Sequence, residues 1–150
     1  MALAKSVQIP IDGLAREFSR ADIEFHELEH GGPSYQGRVF INNPSAEETT
    51  ERLDENGYAG SFHVFGHGGC FGDPGHCDIV ERNPFDPRPA HPLTPALKIV
   101  TATDALRHAL AASEPEVTIT VVPVILSTTP KAGRPDDLVK FTHAQIVTYQ

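Results

Sequence analysis

The sequence predicts an all-β domain: an antiparallel β-sandwich or barrel-like fold with one short helix and long Gly/Pro-rich loops. Three observations carry this expectation. Twelve glycines and 13 prolines among 150 residues punctuate the backbone too often for a helix bundle and favour many short strands. Several short segments either alternate apolar and polar residues or run apolar with Val, Ile and Phe, the patterns of half-buried and fully buried strands. One stretch, from Thr103 to about Ala112, instead spaces Leu106 and Leu110 four apart, as a buried helical stripe requires. A chain of this length matches a single domain spanning residues 1–150.

Taken in order, residues 1–20 are a weakly patterned N-terminal segment, with an edge strand at Ile9–Ile11 and a turn at Asp12-Gly13. Asp22–Glu29 begins as a strand, Ile23 and Phe25 facing one way and Asp22, Glu24 and His26 the other. The alternation breaks at Glu27 and Leu28, which predicts a bulge. A turn at His30–Pro33 leads into a strand over Tyr35–Asn42, and the two strands are expected to pair as a hairpin. A polar loop with one helical turn between Glu47 and Leu53 precedes a strand at Tyr58–Phe65.

Residues 66–96 form a Gly/Pro-rich insert. Five of its prolines lie between Pro84 and Pro95, which predicts a semi-rigid extended strap. A loop this long inside a small domain is a candidate functional segment. Beyond it come a strand at Leu97–Thr101, a helix capped by Thr103 or Asp104, and a central strand at Val117–Leu126, in which Pro123 calls for a bulge or an edge position. A loop at Ser127–Asp137 and a long strand at Leu138–Tyr149 complete the chain.

The net charge of −8 disfavours a polyanionic ligand, so nucleic acid is not an expected partner. Neither is a membrane, because no stretch approaches the ~20 apolar residues of a spanning helix. The N-terminus has no basic flank followed by an apolar run, so the expected compartment is the cytoplasm, with export alongside a partner as the alternative. Gly66–Gly72 lacks the Lys-Ser/Thr ending of a phosphate-binding loop.

The densest chemistry lies in the insert, where His67, Cys70, His76 and Cys77 follow His63 and precede Asp78. Thiolate and imidazole are ligands of zinc and cuprous copper, and the interspersed glycines would let the loop wrap an ion. His63 and His67 share a strand face but stand about 13 Å apart at ~3.3 Å per residue, too far to share one ion without a bend. His76 and Cys77 are adjacent, which is awkward for a closed tetrahedral site. A second reading is a Cys70–Cys77 disulfide closing a short loop, contributing on the order of 2–3 kcal/mol through the unfolded chain. A third is a pair of free buried thiols with the glycines serving tight turns. A cysteine nucleophile assisted by His67 or His76 and by Asp73 or Asp78 is the weakest of the four. A blue-copper site is excluded, since the only Met is Met1. His26, His30, His91, His108 and His143 are expected to have no catalytic role.

A family resemblance joins these pieces. Val39–Asn42, a polar loop, Ala59-Gly60-Ser61-Phe62, the strand and helix from Leu97 to Leu110, and Val117 through Val121-Val122-Pro123 together resemble, in order and spacing, the C-terminal β-sandwich domain of polyphenol oxidases and tyrosinases, with its "AGSF" and "LVP" strands. The resemblance, which extends to molluscan haemocyanins, covers roughly residues 20–150. In that family the sandwich accompanies a helical domain holding two copper ions through six histidines. It therefore implies a non-catalytic role: binding, shielding or assembling a type-3 copper oxidase catalytic domain. This sequence has no pair of three-histidine copper motifs and is not expected to oxidise phenols by itself. The resemblance also makes Phe71, flanked by glycines, the candidate to plug the partner's copper pocket. Phe62 and Phe65 are expected in the core. The competing functions are a copper- or zinc-handling module built on His67, Cys70, His76 and Cys77, and a free-standing enzyme using the same loop.

Overall fold

A computed structural model describes residues 3–68, 73–112, 114–126 and 138–150. The strand-forming segments become β1 (Lys5–Pro10), β2 (Arg20–Leu28), β3 (Tyr35–Ile41), β4 (Tyr58–Val64), β5 (Ala96–Thr101), β6 (Glu116–Ile125) and β7 (His143–Tyr149), with α1 (Thr103–Leu110) between β5 and β6. They form a four-stranded sheet of order β1-β6-β3-β4 and a three-stranded sheet of order β5-β2-β7. Every pairing is antiparallel. Among the described residues no helix is long and apolar enough to cross a membrane.

The expected hairpin of β2 with β3 does not form. β2 pairs with β5 and β7, whereas β3 pairs with β4 and β6. Both strands carry a continuous apolar face, and each satisfies it from the opposite side of one core rather than side by side. Ile23 and Phe25 from β2 meet Tyr35, Val39 and Phe62 from the facing sheet, with Val117, Ile119 and Val121 of β6 completing the layer. The Phe25 ring lies 5.2 Å from Phe62 and 5.3 Å from Phe141. Gly37 lies opposite Phe62 in the register, and a Cβ there would sit 2.5–2.9 Å from three Phe62 ring atoms. The bare glycine is what lets the ring lie flat across β3.

The bulge in β2 occurs where the alternation broke: the register shifts between Phe25 and Leu28, and Glu27 takes a φ of 54°. Pro123 also has a clear reason. β1 pairs with β6 over Glu116–Val121, and among the described residues no strand pairs with that side of β6 beyond Val121, so the missing N–H removes no ladder bond there. The helix cap differs from expectation: the N-cap is Ala102 without a side-chain cap, because the Thr103 hydroxyl accepts the Ala21 N–H at 3.1 Å instead. Leu106 and Leu110 are buried. The single helical turn is a 3-10 turn at Asp54–Asn56 rather than within Glu47–Leu53. Residues 43–57 fold over the outer face of the larger sheet, where Phe40, Ala46 and Val122 form a second small core against Tyr58.

Candidate functional site

The insert leaves the sandwich at the end of β4 and returns at β5, and its root is built by backbone. The His67 and Gly68 N–H groups donate to the carbonyls of His30 and Gly32 at 3.1 and 3.0 Å, and the Gly66 N–H donates to Ser34 Oγ at 3.0 Å. These bonds zip the β2–β3 turn onto the exit from β4. Gly66 is obligatory at this crossing, since a Cβ would collide with the Gly32 carbonyl and the Pro33 backbone.

Against this base lie two imidazoles. The Nδ1 atoms of His30 and His67 are 3.2 Å apart, and His30 Nε2 lies 2.8 Å from the Thr94 carbonyl oxygen. A carbonyl only accepts, so Nε2 of His30 carries the hydrogen and its Nδ1 presents a lone pair. His30 thereby touches both ends of the insert, His67 where it leaves and Thr94 where it returns. The sequence assigned His67 to a site but left His30 without a role; the missing signal was the pairing of β3 with β4, which lays the exit from β4 against the turn before β3 and which no local pattern reveals.

His76 is exposed in a turn whose N–H donates to the Asp73 carbonyl at 3.0 Å. Cys77 is half-buried and disulfide-bonded, so its sulfur is not available as a thiolate. Cys70 and Phe71 lie outside the described residues. Among the described residues no group of three or more His, Cys, Asp or Glu side chains is arranged to hold a metal ion.

The proline strap is not extended. The Asp86 N–H donates to the Asn83 carbonyl at 3.0 Å, and the Asn83 side chain accepts the Phe85 N–H at 2.9 Å, so the strap folds into a tight turn. A second turn closes between His91 and Thr94. Arg88 holds both Asp86 carboxylate oxygens, and the side-chain hydrogen bond from Arg88 keeps that carboxyl below its ordinary range. Arg82 donates to the Asp86 carbonyl at 2.6 Å. The result is an ordered turn with Phe85 at its tip, 92% exposed. Val80 is 79% exposed and Phe65, at the root of the insert, 82%. Phe62 is core as expected, but Phe65 is not: strand alternation turns it away from the facing sheet, one residue past buried Val64.

The likeness to solved structures falls on this fold. A recombinantly expressed latent aurone synthase, a polyphenol oxidase, matches over 97% of this chain with a TM-score of 0.56 at 14% identity. The same enzyme from its natural source matches over 98% with a TM-score of 0.50 at 13% identity. The likeness is one of fold. The chain spans about a quarter of the length of those proteins, 24% and 25%. No family model and no curated protein matches the sequence.

Two other features are polar. On the outer face of the smaller sheet, the His26 and His143 rings stack at 4.4 Å while Glu24 accepts from Gln145 at 2.7 Å and contacts His26 Nε2 at 2.8 Å. Those two bonds, Gln145 first, hold the Glu24 carboxyl below its ordinary range. Beside them Arg20 grips buried Asp22 through two bonds of 2.9 and 2.7 Å, which lowers the Asp22 carboxyl likewise. Elsewhere a groove of about 740 Å³ separates α1 from residues 54–58, lined by Asn43, Asp54, Asn56, Asp104 and His108.

Proposed function

We propose that this chain is a non-catalytic β domain that binds a type-3 copper oxidase catalytic domain and shields or assembles it, with residues 66–96 as the contact surface. The observation that carries this reading is the concentration of strongly exposed apolar side chains on and beside the insert. Phe65, Val80 and Phe85 are each about four-fifths exposed or more, and Phe85 sits on a turn braced by Arg82, Asp86 and Arg88. Water-exposed aromatic side chains on an ordered support are the material of interface anchors, because little conformational freedom remains to be lost on binding. The fold likeness to part of a polyphenol oxidase supports the choice of partner. Phe71 is proposed as the side chain that enters the partner's pocket.

The test measures binding to a type-3 copper oxidase catalytic domain. Replacement of Phe85 by Ala is expected to weaken it at least tenfold, as truncating an interface anchor costs roughly 2 kcal/mol. Deleting residues 68–75 is expected to weaken it as well. Unchanged affinity in both variants would overturn the assignment of the insert as the contact surface.

A further inference from the structure

We propose that His30 and His67 form a two-imidazole site for a divalent first-row transition metal at the root of the insert, with the remaining coordination positions open to water. Three observations carry it. The two Nδ1 atoms face one another at 3.2 Å. With metal–nitrogen bonds of ~2.0–2.1 Å, that separation subtends about 100° at a shared ion, close to tetrahedral and within reach of a square-planar site. The second imidazole nitrogen of His30 donates to the Thr94 carbonyl at 2.8 Å. That is the outer-shell bond that orients a ligating histidine and leaves its other nitrogen bare. Finally, both rings stand on a paired backbone: His67 N–H to His30 carbonyl and Gly68 N–H to Gly32 carbonyl. The backbone positions of the two histidines are therefore set by the fold.

Without metal, His67 Nδ1 carries the hydrogen and shares it between His30 Nδ1 and the His30 carbonyl oxygen at 3.3 Å. On binding, that hydrogen moves to Nε2 of His67 and both Nδ1 lone pairs go to the ion. Imidazole nitrogen suits Cu²⁺, Ni²⁺ and Zn²⁺, with Cu²⁺ the tightest of the three. The bound ion would tie the departing and returning ends of the insert together through His67, His30 and Thr94. This ligand pair differs from the set the sequence suggested, in that it uses His30 and no sulfur, and it stands independently of the proposed partner.

The experiment is calorimetric titration of the untagged full chain, under non-reducing conditions at neutral pH, with Zn²⁺ and separately with Ni²⁺. One equivalent is expected to bind. Replacing His30 by Gln, and separately His67 by Gln, is expected to weaken that binding at least tenfold. His76→Gln, the double variant His26→Gln/His143→Gln and the double variant Cys70→Ser/Cys77→Ser are expected to retain it. If His30→Gln does not fold, the exposed His67 decides, and nitrogen-15 imidazole shifts of the wild type must show its hydrogen moving to Nε2 on addition of Zn²⁺. Absence of binding by the wild type, unchanged binding in His67→Gln, or loss in the cysteine variant with retention in His67→Gln would each overturn the site.

Discussion

Tyr35 is 1% exposed, and among the described residues its hydroxyl has no hydrogen-bond partner. Burial pushes the phenol's pKa up, which favours the neutral hydroxyl. In the unfolded chain the same hydroxyl is bonded to water, so folding loses that bond and gains none. Leaving a buried polar group unpaired costs roughly 1–3 kcal/mol. Tyr35→Phe removes the hydroxyl and keeps the ring edge-on to Phe62, 6.4 Å between centroids. The space left by one oxygen is smaller than a methylene and costs less than about 1 kcal/mol. The net expectation is stabilisation by about 1 kcal/mol. For a domain of this size that is a rise in Tm of about 2–4 °C. Urea unfolding of the two proteins, compared at matched slopes, measures it. A loss of more than about 0.5 kcal/mol in Tyr35→Phe would refute the reasoning, because it would mean that the hydroxyl donates to a partner in the folded protein.

Gly37→Ala should destabilise by about 1–3 kcal/mol, since the added methyl collides with the Phe62 ring; a urea midpoint within error of wild type would show that the ring moves freely. The Asp22 carboxyl is held low by Arg20, so its stabilising contribution is complete above the unfolded carboxylate range and disappears as pH falls through the lower folded value. Asp22→Asn should therefore lower Tm clearly near neutral pH and much less at about pH 2; a difference independent of pH would contradict this linkage. Thiol titration of the denatured, unreduced chain should find no free thiols, and two after reduction. Reduction should also lower stability by on the order of 2–3 kcal/mol, the loop-entropy value for a short closed loop, measured as a shift in the unfolding midpoint.

Much of the fold is legible in short windows of sequence. Alternation in Ile23–Phe25 and its failure at Glu27 located β2 and its bulge, and the Leu106/Leu110 spacing located α1, because those signals come from neighbours that the residues carry with them along the chain. The candidate site was half legible. Glycine and proline density marked residues 66–96 as the segment to watch, and the cluster of His and Cys side chains within it marked His67. His30, which completes the pair with His67, gave no sign of it.

What the sequence determined by itself is thus the fold class and most of the elements, set by periodicity and backbone chemistry acting over a few residues. The tertiary structure decided which strands pair, that β2 and β3 face each other across the core instead of forming a hairpin, and that the strap folds into turns presenting Phe85. It also decided that His30, 37 positions from His67, should meet it nitrogen to nitrogen. An apolar strand face requires burial without specifying the partner that supplies it. The choice among partners is made by the whole core at once, so contacts between residues distant in sequence leave no local pattern to be read.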